Sequence, residues 1–175
     1  MADPRRIFLV GPMGAGKTTI GTALARALDL TFLDSDREIE QRSGVDIATI
    51  FDFEGESGFR KRERAMIDEL TARDDIVLAT GGGAVLDPDN RQRLSTRGTV
   101  VFLDTSVDEQ VRRTRHDRAR PLLQSEDRRA TLKQLAEERA PLYGEIADIV
   151  VATDGSRRGA TVDRILRALG APDQH

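Results

Sequence analysis

The stretch GPMGAGKTT, residues 11–19, carries the most specific chemical pattern in the sequence. Gly11 and Gly16 allow the backbone to wrap a phosphate so that N–H groups point at its oxygens. Lys17 adds a positive charge, and the Thr18 hydroxyl is a suitable ligand for Mg²⁺. An apolar run precedes this stretch and a helical pattern follows it, which is the context that the motif requires. The sequence therefore predicts a site for the phosphates of a nucleotide.

Two carboxylates, Asp34 and Asp36, come at the end of a second apolar run, LTFLD. If the chain stays extended there, both side chains point to the same side, roughly 6–7 Å apart. One carboxylate could then serve the metal, while the other faces an acceptor hydroxyl as a base or an orienting group. A helix-capping Asp with a solvated neighbour is the alternative interpretation.

Arg60 lies in the charged run RKRER, three residues after Ser57, which the pattern places as a helix N-cap. A cation in the first turn of a helix opposes the helix dipole. A helix start combined with an Arg is nevertheless a good receptor for a ligand carboxylate, and Glu63 could hold the guanidinium in place. A solvated surface arginine explains the same pattern equally well.

Three consecutive glycines, Gly81, Gly82 and Gly83, directly follow the apolar run DIVLAT. One glycine would suffice for a turn between a strand and a helix. Three glycines favour close approach of a ligand to backbone N–H groups. A flexible turn is the alternative.

The stretch RRTRHDRARP, residues 112–121, is dense in arginine and has weak periodicity. It is either a solvated loop or a mobile lid that brings an arginine onto a transferring phosphoryl group. RNA binding fits the stretch poorly, because no aromatic residues are interleaved to stack on bases.

These residues need a scaffold, and the chain alternates short apolar runs with longer helical stretches. That alternation predicts a parallel sheet with helices on both faces. We expect strands at 6–10, 30–34, 75–80, 98–104 and 147–153, and helices at 17–28, from 35, at 57–70, at 87–94, from 106, at 128–143 and at 160–169. In such sheets ligands bind at the carboxyl ends of the strands, which is where the phosphate motif, the aspartates and the glycines fall.

The composition is that of one compact domain. The chain has 175 residues, a formal net charge of −3 and no cysteine. The charge gives no reason to expect nucleic acid or an anionic membrane as a partner. The lack of cysteine excludes disulfides and thiol–metal sites. The early apolar run is too short for a signal-peptide core or a membrane span, so we expect a cytoplasmic protein.

Several classes of nucleotide-binding protein fit less well. A GTPase would show an Asn-Lys-x-Asp motif, which does not occur in this sequence, and a motor ATPase would normally be a longer chain. The size fits a small phosphotransferase. A kinase of gluconate or of a nucleoside monophosphate, or a nucleotide-dependent regulatory module without an acceptor, stays open at this point.

Taken together, the motifs resemble the shikimate kinase family, which has the nucleoside-monophosphate-kinase-like P-loop fold. The resemblance covers nearly the whole chain and is carried, in order, by GPMGAGKTT, FLDSDREIE, GESGFRKRE, LATGGGAV, RPLL and ERAPLY. It implies transfer of the ATP γ-phosphate to the 3-hydroxyl of shikimate, on the route to aromatic amino acids. It also implies an α/β fold of three layers, α/β/α, around a five-stranded parallel sheet in the order 2-3-1-4-5.

The resemblance also implies a role for each matching residue. The nucleotide would contact Gly14, Ala15, Gly16, Lys17, Thr18, Thr19, Arg113 and Arg120. Thr18 and Asp34 would hold Mg²⁺. Shikimate would contact Asp36, Arg60, Gly81, Gly82, Gly83 and Arg139. The catalytic groups would be Lys17, Asp36 and the lid residue Arg120.

On this basis we expect a single kinase domain over residues 1–175, with a substrate-binding region at about 35–63 and a lid at about 113–125. ATP and shikimate are the expected partners, without nucleic acid or membrane, and the protein is expected to be a monomer. The stretch DGSRRGA should close the far side of the adenine pocket, but the motif does not assign its residues.

Overall fold

The structure, a computed structural model, describes residues 5–116, 127–155 and 157–170. The strands are β1 Arg6–Val10, β2 Thr31–Asp34, β3 Ile76–Ala79, β4 Thr99–Asp104 and β5 Ile149–Ala152. The helices are α1 Lys17–Leu28, α2 Ser35–Ser43, α3 Ile47–Leu70, α4 Pro88–Arg97, α5 Val107–Arg113, α6 Arg128–Ile146 and α7 Arg158–Ala168, with a short 3₁₀ helix at Ala84–Leu86.

The five strands form one parallel sheet in the order β2-β3-β1-β4-β5. The central strand is β1, in which Phe8 pairs with Leu78 of β3 on one side and with Val100 of β4 on the other. Parallel neighbours require crossover connections, and the helices provide them. The predicted fold class and strand order are confirmed.

The core consists of two apolar layers, one on each face of the sheet. Alternate residues of β1 belong to different layers, since Phe8 packs with residues of α3, α4 and α6, while Leu9 packs with residues of α1 and α7. Strands that are buried on both faces are apolar throughout, which explains why their sequences show no polar alternation. In the part of the chain that the structure describes, no helix is both long and apolar enough to cross a membrane.

The start of α2 agrees with the sequence prediction. Helix α2 begins at Ser35, directly after β2, so the chain does not stay extended past Asp34. Asp34 is the N-cap of this helix, because its carboxylate accepts hydrogen bonds from the backbone N–H groups of Asp36 and Arg37. The condition for placing both aspartates on one extended strand is therefore not met, and Asp34 caps a helix, as the alternative interpretation had it.

The start of the helix that carries Arg60 differs from the prediction. Helix α3 is interrupted at Gly55, whose φ of 72° and ψ of 179° are not helical. Few residues other than glycine adopt this conformation. Ser57 lies two residues beyond the interruption and is not the N-cap, and Arg60 lies just after the first turn of the second helical segment rather than within it.

The carboxyl ends of the strands meet at one edge of the sheet. The loop after β1 contains the phosphate motif, Asp34 ends β2, and Gly81 comes just after β3. Thr153 comes directly after β5 at the same edge. This edge is where ligands bind in open parallel sheets, and it positions every element of the candidate site described below.

Candidate active site

The loop between β1 and α1, residues 11–16, has the backbone shape that a phosphate cradle requires. Gly16 is the N-cap of α1 and has a φ of 90°, in the left-handed region that favours glycine. A side chain at Gly11 would not fit, because its Cβ atom would lie 2.7 Å from the carbonyl oxygen of Leu103. The N-terminus of α1 thus opens onto a loop of glycines, an arrangement that binds anions.

The side chain of Lys17 folds back onto this loop. Its Nζ donates hydrogen bonds to the carbonyl oxygens of Gly11, at 2.5 Å, and Pro12, at 3.0 Å. These contacts keep the ammonium group beside the loop, where it can meet phosphate oxygens.

Thr18 and Asp34 form the second half of the donor site. The Thr18 hydroxyl donates to Oδ2 of Asp34 at 3.0 Å, while Oδ1 of Asp34 accepts from the N–H of Asp36 at 3.0 Å. One carboxylate oxygen therefore caps α2 and the other faces the hydroxyl. Both are oxygen ligands, the type that Mg²⁺ takes, and within the described residues no cluster of three or more His, Cys, Asp or Glu residues offers an all-protein metal site. The residues fit an ion that completes its shell with phosphates and water.

A cleft of about 240 Å³ joins the donor loop to the region around Asp36 and the glycines. Its lining residues are Gly14, Ala15, Gly16, Lys17, Thr18, Thr19, Asp34, Asp36, Ala79, Thr80, Gly81 and Gly82. A phosphate bound at the loop and an acceptor bound near Asp36 would therefore share one cavity.

The three glycines after β3, residues 81–83, form what we call the glycine loop, and a charged side chain lies against each of them. A Cβ atom on Gly83 would lie 2.4 Å from Nη2 of Arg60, and one on Gly81 would lie 2.9 Å from Oδ1 of Asp36. A Cβ atom on Gly82 would lie 3.4 Å from Nη1 of Arg139. Because these glycines have no side chains, Asp36, Arg60 and Arg139 can all lie against the glycine loop.

The charged groups on this side of the cleft are buried together. Arg60 donates to Oε1 of Glu63 at 2.9 Å, as the sequence predicted, and Glu63 is only 1% exposed. Burial raises the pKa of Glu63 to about 7, although the positive charge of Arg60 acts in the opposite direction. The negative charge of Asp36 adds to the rise.

Arg139 completes this cluster from helix α6. Arg139 is only 4% exposed, and its Nε has no hydrogen-bond partner in the described part of the chain. The same is true of Nε of Arg60 within those residues. Buried guanidinium donors without partners are costly unless a ligand uses them, and a carboxylate matches their geometry. The chemistry of the two arginines is thus suited to binding a small anion.

Arg113 lies on the opposite side of the phosphate loop. Its guanidinium donates to the carbonyl oxygens of Gly14, at 3.0 Å, and Thr153, at 3.1 Å, and its Nε is 2.8 Å from Glu109. A pocket of about 210 Å³ opens beside it, lined by Ala15, Gly16, Thr19, Ile20, Arg113, Thr153, Arg158 and Thr161. Arg158 belongs to the stretch DGSRRGA, which the sequence motif left unassigned, and Thr153 and Thr161 flank that stretch.

Two predicted features lie outside the described residues. Arg120 is one of them, and most of the lid predicted at 113–125 is the other, since the description stops at residue 116 and resumes at residue 127. Apart from Arg120, the predicted site residues are described and line this edge of the sheet.

Sequence reasoning missed Tyr143. This residue is 1% exposed, and its hydroxyl donates to the carbonyl oxygen of Gly82 at 2.5 Å. The sequence signal is its spacing of four residues from Arg139 on a helix, which places both on one face. A tyrosine at the spacing of the apolar residues of a helix normally packs in the core. The pattern alone therefore does not predict a contact with the glycine loop.

Comparison with known proteins gives a consistent picture. A family model described as shikimate kinase matches residues 13–170. A shikimate kinase of Halorhodospira halophila is 60% identical over 95% of this chain and 94% of its own length. One of Vibrio cholerae is 56% identical over 97% of both chains. A solved shikimate kinase from Acinetobacter baumannii, in complex with shikimate, is 48% identical, covers 93% of this chain and 91% of its own, and superposes with a TM-score of 0.92.

Proposed function

The chain belongs to the shikimate kinase family and is an ATP-dependent kinase, and we propose that it transfers the γ-phosphate to the 3-hydroxyl of shikimate. The predicted family is thereby confirmed. One observation from the site carries the proposal of where the acceptor binds. Arg60 and Arg139, both with an unpartnered Nε within the described residues, face the glycine loop beside the cleft that contains the phosphate loop.

On the donor side, the backbone of the phosphate loop and Lys17 would bind the β- and γ-phosphates, with Gly14, Ala15, Gly16 and Thr19 around them. We propose that Thr18 and Asp34 hold Mg²⁺, on which the kinase would depend. When bound, the ion would neutralise charge on the phosphate oxygens.

On the acceptor side, Arg60 and Arg139 would bind the carboxylate of shikimate, and the N–H groups of the glycine loop would contact its hydroxyls. Asp36 would face the 3-hydroxyl. The hydroxyl oxygen would then bond to the γ-phosphorus as the bond from this phosphorus to the bridging oxygen breaks, with ADP as the leaving group. The hydroxyl proton would pass to Asp36.

The remaining assignments concern the nucleotide base and closure of the site. Arg113 would pack on the adenine, with Thr153 and Arg158 on the far side of the same pocket. Arg120, which lies outside the described residues, would reach the transferring phosphoryl group from the lid at about 113–125. Closure of a lid excludes water, which competes with the acceptor. The region at about 35–63, which includes α2 and Arg60, would bind shikimate.

The test is release of ADP from ATP and Mg²⁺ with shikimate, gluconate, AMP or no acceptor. We expect turnover to depend on shikimate, with little ADP released in the other three reactions. Phosphorus NMR of the product would identify the phosphorylated hydroxyl. Equal turnover with gluconate or AMP, or release that needs no acceptor, would overturn the proposal.

We also propose that the protein acts as a monomer in the cytoplasm, without nucleic acid or membrane. The described residues that line the cleft reach it from several elements of the same chain, which supports the monomer. Light scattering on a size-exclusion column would measure the mass, and a dimer at assay concentrations would contradict the proposal.

A further inference from the structure

A buried hydrogen bond connects helix α6 to the glycine loop across 61 positions of the sequence. The Tyr143 hydroxyl lies 2.5 Å from the carbonyl oxygen of Gly82. A carbonyl oxygen can only accept, so the tyrosine must be the donor. Burial raises the pKa of Tyr143 to about 12, although the guanidinium of Arg139 acts in the opposite direction, so the donor proton stays in place near neutral pH.

The position of this hydroxyl is set by the core. Tyr143 is 1% exposed, and its ring packs on Phe102 of β4 with 5.1 Å between the ring centroids and 41° between the ring planes. A tyrosine ring has few rotatable bonds, so this packing leaves the hydroxyl little freedom. Tyr143 therefore acts as a fixed point to which the glycine loop is attached.

The hydrogen bond determines how the backbone of the glycine loop is oriented. The peptide between Gly82 and Gly83 is trans, so its N–H points away from its carbonyl oxygen, and hence away from Tyr143. The N–H groups of Gly82 and Gly83 donate to no other group in the described part of the chain. A run of glycines has no side chains to fix its own peptide planes. Holding the carbonyl of Gly82 thus aims the N–H of Gly83.

We propose that Tyr143 is a positioning residue for the acceptor. It would orient the Gly82–Gly83 peptide and, through one turn of the same helix, keep this peptide in register with Arg139. The inference rests on the proposed function, since it assumes that shikimate binds between the glycine loop and the two arginines. It predicts that the hydroxyl of Tyr143 matters for shikimate and not for ATP.

The test is the variant Tyr143→Phe, which keeps the ring on Phe102 and removes only the hydroxyl. A half-buried carbonyl would lose its donor, and the KM for shikimate should rise about tenfold. The KM for ATP should change less than about twofold, since in the described part of the chain no hydrogen bond joins Tyr143 to the phosphate loop. Calorimetry should show the same loss of shikimate affinity without ATP.

Thr71→Val is the matched control. Thr71 is fully buried, and its hydroxyl also donates to a backbone carbonyl, that of Ile67, at 2.6 Å. It follows the C-terminus of α3, ahead of the amino end of β3, so it lies at the edge of the sheet opposite the site. This variant should lower the melting temperature and leave both KM values unchanged.

Two outcomes would overturn the proposal. One is an unchanged shikimate KM in Tyr143→Phe while the wild-type enzyme turns over shikimate normally. The other is an equal rise of both KM values together with a fall in melting temperature, which would indicate a purely structural role. A wild-type protein that does not phosphorylate shikimate would refute the proposed function instead, so the two failures are distinguishable.

Discussion

Arg60 and Glu63 form an ion pair of 2.9 Å in which the carboxylate partner is almost entirely buried. The pair sits against Gly83, where even a methyl group would collide with the guanidinium. Arg60 makes a second, weaker contact with the more exposed Glu56 at 3.3 Å. The guanidinium is therefore held on one side by carboxylates and faces the glycine loop on the other, as an anion receptor requires.

The first prediction concerns Arg60→Ala. Loss of a charge-assisted pair with the shikimate carboxylate should weaken shikimate binding by about 1.5–3 kcal/mol, or roughly 10- to 150-fold. ATP affinity measured without shikimate should barely change. Arg62→Ala is the control, because Arg62 is on the same helix but pairs at the surface with Glu54 at 2.8 Å. Calorimetry measures the shikimate affinity of both variants. An intact shikimate affinity in Arg60→Ala would show that the acceptor binds elsewhere.

The second prediction concerns the pH dependence of stability that Glu63 causes. Its pKa rises from 4.5 to about 7 on folding, mainly because of burial, so between these values the folded state holds a proton that the unfolded state has lost. The contribution of Glu63 to the free energy of unfolding should therefore fall as the pH rises through this window, by up to about 3 kcal/mol.

Urea denaturation of wild type and Glu63→Gln at several pH values tests this. Glutamine does not titrate, so the free energy of unfolding of wild type minus that of the variant should decrease from about pH 4.5 to about pH 7 and then level off. A difference that is constant, or that grows with pH, would show that Glu63 is not protonated in the folded protein at these pH values.

The third prediction concerns Gly83→Ala. The new methyl group would meet the guanidinium of Arg60 at 2.4–2.8 Å, so the arginine must move. Because a long side chain can move at small cost, we expect little loss of stability and a rise of about tenfold in the shikimate KM. Gly144→Ala is the control. Gly144 lies in helix α6, and a Cβ atom added there would meet no other atom within 4 Å. Equal kinetics in the two variants would argue against the glycine loop as a spacer for Arg60.

The fourth prediction concerns Asp34→Asn. An Asn side chain still caps α2, so stability should change little, but the negative charge beside the Thr18 hydroxyl is lost. The Mg²⁺ concentration for half-maximal turnover should rise about 10-fold or more. Asp46→Asn, at the N-cap of α3, is the control for loss of a capping charge. If the two variants need the same Mg²⁺ concentration as wild type, Asp34 does not serve the metal.

The fold was largely predictable because its three central strands are buried on both faces and all five strands are apolar. Each of them is a short apolar run, and strong caps such as Asp87 before Pro88 mark the helices between them. The interruption at Gly55 was not predictable, since the pattern FDFEGESG contains two glycines and does not say which one leaves the helix. The helix beginning at Ser35 was predicted, whereas the geometry of Asp34 and Asp36 was left open, because an Asp can either continue a strand or cap a helix.

The site was predictable where a motif fixes the backbone and unpredictable where tertiary contacts decide. The phosphate loop carries its own geometry in its glycines. Glu63 lies in a run of charged residues that is typical of a solvent-exposed surface. Its burial depends on the packing of α3 against the sheet. The contact between Tyr143 and Gly82 joins residues that are far apart in the sequence. The spacing of Tyr143 from Arg139 places both on one helix face but does not indicate which backbone group the hydroxyl meets.

The variant Asp36→Asn shows whether an acceptor hydroxyl meets Asp36 beside the bound γ-phosphate. Asparagine keeps the size but loses the charge and the ability to accept a proton. At saturating shikimate, ADP release should therefore fall about 10²–10⁴-fold while the melting temperature stays close to that of wild type. Glu38→Gln, two residues further along α2 and paired only loosely with Arg42 at 3.9 Å, should keep normal turnover. Turnover of Asp36→Asn close to that of wild type at saturating shikimate would show that Asp36 does not accept the proton of the acceptor hydroxyl.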